Sequence, residues 1–191
     1  MSHMSLEDFE RRYRADPDPW SYESSDYERA KYAATLDACG EGPAANALEL
    51  GASIGVFSEL LAPRCEALTT VDAAPTAVEI ARGRLAGRPH VRVILGPIPD
   101  GIPPGTYDLV VASEILYYLP AQMLERTLDR LRRSLATGGR LVAVHWRPPG
   151  PERPFTADEV HARLREQAWL RSVYAGGTDD YRLDVLVRTD G

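Results

Sequence analysis

Apolar and polar positions along the chain follow two rhythms, and their alternation outlines the fold. Residues 107–113, Tyr107-Asp108-Leu109-Val110-Val111-Ala112-Ser113, are nearly all apolar, as a central strand buried on both faces should be. Shorter apolar runs at 45–50, 67–71, 91–95 and 140–146 predict four further strands. Helical spacing fills the gaps. A helix is expected over 56–62, and Pro75 opens another in which Val78, Ala81 and Leu85 share a face. Leu124, Leu128, Leu131 and Leu135 form one stripe of a helix over 121–135, with Gly138-Gly139 as its stop. Capping boxes at Ser25-Asp26-Tyr27-Glu28 and Thr156-Ala157-Asp158-Glu159 start two more, the first running over 26–39. Residues 170–174 and 181–188, around Gly176-Gly177, read as an antiparallel hairpin. Strands alternating with helices and closed by a hairpin predict an α/β fold: doubly wound, with a seven-stranded, mostly parallel sheet and an antiparallel C-terminal hairpin.

Length and composition narrow the class. The 191 residues suit one domain with one core. Met1-Ser2-His3-Met4 reads as an expression remnant (residues 1–4), followed by a helical segment at 5–44 that is expected to act as a lid and by the main domain at 45–191. No apolar run is long enough to span a membrane, so no membrane partner is expected. Cys39 and Cys65 are too few and too far apart for a disulfide scaffold or a zinc site, which suggests a reducing, cytoplasmic setting. The net charge is −6, and the one basic cluster, Arg130-Leu131-Arg132-Arg133, falls on a predicted helix as a solvated face; no nucleic-acid surface is read here. His90, His145 and His161 have no ligand partners at useful spacing, so no metal is expected.

The chemistry is concentrated after the first strand. Glu49-Leu50-Gly51-Ala52-Ser53-Ile54-Gly55, followed by Asp72 at the end of the second strand, is a strand–turn–helix–strand unit of the Rossmann-like kind that binds an adenosine-containing cofactor. A dinucleotide fingerprint would need glycine at 51, 53 and 56, where the chain has Gly51, Ser53 and Val56. The pattern acidic-x-G-x-G-x-G fits at 49, 51 and 55 and departs only at Ser53. That pattern resembles the first motif of S-adenosylmethionine (SAM) methyltransferases. Gly51 and Gly55 allow a sharp turn close to a ligand, and the Asp72 carboxylate can accept from both ribose hydroxyls.

Taken whole, the chain resembles the class I SAM-dependent methyltransferases from about residue 45 onward, with Ser113-Glu114 and Leu135-Ala136-Thr137-Gly138-Gly139-Arg140-Leu141 as later motifs. More narrowly, it is similar to the nodulation-protein-S (NodS-like) methyltransferases. That likeness is carried by Asp18-Pro19-Trp20-x-Tyr22, Tyr27-Glu28-Arg29-x-Lys31, Ser113-Glu114-Ile115-Leu116-Tyr117-Tyr118, His145-Trp146-Arg147 and Asp180-Tyr181-Arg182-Leu183-Asp184. The resemblance implies SAM as cofactor, S-adenosylhomocysteine (SAH) as product, and a small-molecule acceptor whose aminosugar amine is methylated.

Methyl transfer from a sulfonium needs positioning more than chemistry, with a base only for a nucleophile that arrives protonated. Glu114, at the mouth of the fourth strand, is the first candidate base, and His145 is the second. Cofactor contacts are expected from Glu49, Gly51, Ser53, Gly55, Asp72, Ala73, Pro97, Ile98 and Ser113, with Trp20 and Tyr27 contributed by the lid. Tyr22, Tyr117 and Tyr118 are expected at the acceptor. Nitrogen and oxygen acceptors both remain open at this level. The competing readings are a cofactor-binding domain fused to another catalytic domain and, against the glycine spacing, a nicotinamide oxidoreductase.

Overall fold

The computed structural model describes residues 4–148, 150 and 152–190. Its seven strands form one sheet in the order β3-β2-β1-β4-β5-β7-β6. They are β1 (Ala47–Leu50), β2 (Leu68–Asp72), β3 (Val91–Leu95), β4 (Tyr107–Ser113), β5 (Leu135–Trp146), β6 (Leu170–Gly177) and β7 (Tyr181–Arg188). The first five run parallel, and β7 is antiparallel to both β5 and β6. The predicted seven-stranded sheet and terminal hairpin are therefore present. Strand order reverses between β1 and β4, which are direct neighbours. In doubly wound sheets that reversal opens a crevice beyond the strands' carboxyl ends, and here Gly51 and Ser113 flank it.

Strands alternate their side chains, so the two faces bury separate cores. One face packs Leu109, Val111, Val142 and Val144 against Tyr32 of α2 (Asp26–Ala38) and Phe57 and Leu61 of α3 (Val56–Leu61). The other packs Val110, Ala112, Leu141 and Ala143 against the leucine stripe of α5 (Ala121–Ser134) and against Val160 and Leu164 of α6 (Ala157–Arg165). The helix opened by Pro75, α4 (Pro75–Leu85), packs on β2 and β3.

Two expectations need correction. Gly138-Gly139 do not stop α5, which ends at Ser134; they lie inside β5. The register against β4 jumps from Tyr107↔Leu135 to Leu109↔Arg140, and Gly138, at φ 77°, lets the extra residues loop out before regular pairing resumes. The second concerns the N-terminus, where the helical segment expected over 5–44 holds another helix besides the one over 26–39. A helix, α1 (Leu6–Ala15), is present there, capped by Ser5 with Asp8 in a capping box. Met4, set apart as part of a remnant, is buried and donates its N–H to the Glu152 carbonyl. Residues 1–3 lie outside the described residues.

Candidate active site

The glycine loop after β1 is built by backbone conformation. Gly51 sits at φ 77°, and a Cβ there would meet Ile115 Cβ at 3.1 Å, so glycine is required both by conformation and by the loop opposite. Gly55, also left-handed, would place a Cβ 3.1 Å from Ala81 Cβ. It lets α3 pack on α4, and it lines none of the cavities described below. Ser53 adopts φ 50° without being glycine, in a region that L-residues enter at a cost of roughly 1–2 kcal/mol. Its two polar groups are both used: the N–H donates to Asp72 Oδ2 (2.8 Å), and Oγ accepts from the Tyr13 hydroxyl of α1 (2.6 Å).

Asp72 closes β2 with Oδ1 accepting from Ala74 N–H (2.9 Å) and Oδ2 from Ser53 N–H. Burial raises its pKa while those N–H groups pull it down. The fixed carboxylate stands at the rim of a cavity of about 320 Å³. Gly51, Ser53, Ala73, Pro97, Ile98 and Ser113 line this cavity, and Phe9 and Tyr13 of α1 roof it with Trp20 and Tyr22. Glu49 is buried behind it. The Ser58 hydroxyl donates to Glu49, and burial pushes the Glu49 carboxyl up to about 7. Glu49 reaches only a narrow crevice under Gly51 and Ser53.

A second cavity of about 490 Å³ adjoins the first, and Trp20, Tyr22, Glu114 and Tyr118 line both. Tyr27, expected at the cofactor, belongs to this second space, as does Tyr117. Glu114 stands at the junction at φ 54°, a strained position just past β4. Its Oε1 accepts from Lys31 Nζ (2.7 Å), and its Oε2 accepts from Trp146 N–H (3.0 Å) and the Tyr117 hydroxyl. Lys31, the chain's only lysine, is 1 % exposed, and also donates to Glu28 Oε1 (2.9 Å). Its Nζ lies 5.0 Å from the Tyr27 ring centroid. Burial works against the ammonium, yet Glu114 and Glu28 outweigh it and hold the pKa of Lys31 above the ordinary value. Two carboxylates against one ammonium leave the cluster net negative. Sequence reasoning missed Glu28 and Lys31 as a site; their three-residue spacing on a capped helix was the available signal.

The structure does not bring His145 to either cavity. It follows Leu141 and Ala143 on the α6 side of β5, fully buried, with its ring against Tyr117 (centroids 4.9 Å apart) and His161. Nε2 accepts from Leu116 N–H (3.1 Å), which puts the proton on Nδ1, directed at His161 Nε2 (3.0 Å). His161 Nδ1 lies 3.3 Å from Asp184 Oδ2. His145 therefore pins the short turn that carries Tyr117 and Tyr118. Burial, followed by His161, holds the pKa of His145 well below its usual value. Unfolding thus takes up protons below about pH 6.5, and stability rises with pH through that window. The melting temperature is expected to fall between about pH 7.5 and about pH 5.5, and His145→Gln should flatten that slope.

Comparison with known proteins bears on the identity of this arrangement. The family model described as Nodulation protein S (NodS) matches residues 2–147. Nodulation protein S of Rhizobium tropici is 35% identical over 143 residues, which cover 74% of this chain and 60% of that protein. The chain belongs to the NodS family. Nodulation protein S of Bradyrhizobium diazoefficiens is 40% identical over 119 residues, covering 62% of this chain and 55% of the relative. The matched region thus spans little more than half the length of these NodS relatives. Among solved structures, N-methyltransferase NodS from Bradyrhizobium japonicum in complex with SAH has a TM-score of 0.88 at 27% identity, covering 98% of this chain and 100% of that one. The NodS fold seen here is the class I methyltransferase fold.

Proposed function

We propose that this protein transfers the methyl group of SAM to the amine of a small, sugar-like acceptor. The observation that carries this reading is the buried Glu28–Lys31–Glu114 cluster at the junction of the two cavities: its surplus negative charge favours a cationic amine over a neutral hydroxyl. The B. japonicum N-methyltransferase supports it. The first cavity suits SAM, because Asp72 retains lone pairs for ribose hydroxyls beyond those its two N–H partners use, and because Pro97, Ile98 and Val71 offer an apolar wall to an adenine. When bound, SAM supplies a sulfonium methyl. The protein's own residues hold the amine in line with that methyl and exclude water. Tyr117, Tyr118 and Trp146 give the second cavity aromatic walls of the kind that take the apolar face of a sugar ring. A panel of aminosugars, their N-acetyl forms and deoxysugars, assayed with labelled SAM, tests the reading. Transfer confined to free amines is expected; transfer to N-acetyl or deoxysugars alone would replace it.

The segment over 5–44 acts in this account as a lid. Besides the Tyr13–Ser53 bond, α1 is tied down where Glu10 accepts from Thr76 N–H and Oγ1 (3.0 and 2.7 Å) and Arg12 pairs with Glu152 (2.5 Å). Tyr13 also packs with Ile54, Ala74 and Ala77 in a small apolar cluster separate from the two cores of the sheet, so α1 can be released in this account with the sheet intact. Amide exchange over residues 5–32 is expected to slow markedly when SAH binds, and Tyr13→Phe should weaken that protection; equal protection with and without SAH would make the segment a fixed part of the fold.

A further inference from the structure

Glu28 is a buried carboxylate with one oxygen unused. It is 7 % exposed; Oε1 accepts from Lys31, while Oε2 has no hydrogen-bond partner. Leaving a buried acceptor unpaired costs about 1–3 kcal/mol, and more when it is charged, so such atoms in a native fold call for a reason. The Tyr32 hydroxyl, one turn along α2, lies near enough to the carboxylate to favour its ionised form but stands outside hydrogen-bond geometry to Oε2. Glu114 is the opposite case, since three donors already occupy its two oxygens. Within the cluster, Glu28 Oε2 is thus the one carboxylate oxygen without a donor. Glu28 also lines both the second cavity and the crevice that runs to Gly51 and Ser53, which places it between the space for the acceptor and the loop at the cofactor.

We propose that Glu28 Oε2 receives the acceptor's ammonium group and takes the proton it must lose before methyl transfer, a role that rests on the amine-methylating reading above. The ammonium gives one proton to Glu28, and the nitrogen lone pair then attacks the methyl carbon. A C–N bond forms as the C–S bond breaks, and the C–S electron pair stays on sulfur. The product leaves as a methylated ammonium, and Glu28 returns its proton to solvent through the second cavity. Burial, which raises the proton affinity of Glu28 against the pull of Lys31, suits this exchange.

The test uses Glu28→Gln and Glu28→Asp with glucosamine as the probe. SAH affinity, which also reports folding, is expected to stay within about twofold of wild type, whereas kcat/KM for glucosamine at neutral pH falls about 100-fold in Glu28→Gln. The deficit should shrink as pH passes the pKa of the amine, where the acceptor arrives already neutral, and Glu28→Asp should recover part of the rate. An equal deficit at every pH would make Glu28 a packing residue. A matching fall in SAH affinity would assign Oε2 to the cofactor's own amino group, and unchanged turnover would remove Glu28 from the site. If the wild type itself methylates no amine, the amine-methylating reading falls first and this role with it; an active wild type beside an equally active Glu28→Gln overturns only the role of Glu28.

Discussion

Glu114→Gln is expected to lower kcat/KM for an amine acceptor by about a thousandfold while SAH affinity changes by less than about tenfold. The asymmetry follows from what Glu114 touches. Lys31 Nζ, Trp146 N–H and the Tyr117 hydroxyl all donate to it. A glutamine has one acceptor and one donor end, so in either orientation its NH₂ faces a group that also donates. The substitution removes the negative charge from the cavity junction and leaves Lys31, fully buried, with only Glu28 as counter-ion. Breaking one partner of a buried pair typically costs about 3–5 kcal/mol, so the variant should also melt at a lower temperature. Steady-state kinetics, SAH calorimetry and thermal melting separate the three effects. Retained turnover with a lowered melting temperature would make the cluster structural only.

Asp72→Ala carries the second large effect, on the cofactor side. In the proposed cofactor site two charge-assisted hydrogen bonds to the ribose would be lost, which should weaken SAH binding by roughly 2–4 kcal/mol, or about 30- to 1,000-fold in Kd. The structure adds a second reason for the loss. Asp72 holds Ser53 N–H and Ala74 N–H, so its removal also frees the loop that Tyr13 closes upon. Calorimetry with SAH checks this, and unchanged affinity would remove Asp72 from the site.

The parts of the fold set by periodicity were legible from the chain. The apolar run at 107–113 became the central strand β4, and the glycine spacing at 51 and 55 marked the loop beside Asp72. Legibility failed where a residue's role depends on a distant neighbour. Gly55 matters because Ala81 lies against it. His145 faces α6 because strand alternation turns it from the crevice, a parity that a ragged strand start obscured. Lys31 meets Glu114 across 83 residues, a contact no local pattern encodes. The helix α1 differs from these cases: its signal, Ser5 and Asp8 ahead of Phe9 and Tyr13 at helical spacing, is of the same kind that marked the helices at Ser25 and Thr156.

The central claim is that a methyl group passes from the cavity beside Asp72 to a nitrogen held by the Glu28–Lys31–Glu114 cluster. Incubation with SAM carrying a ¹³C-labelled methyl and glucosamine, read by NMR of the product, tests it most directly. The account predicts one new methyl signal on the sugar nitrogen, lost when glucosamine is replaced by its N-acetyl form. A methyl signal on a sugar oxygen, undiminished by N-acetylation, would contradict it.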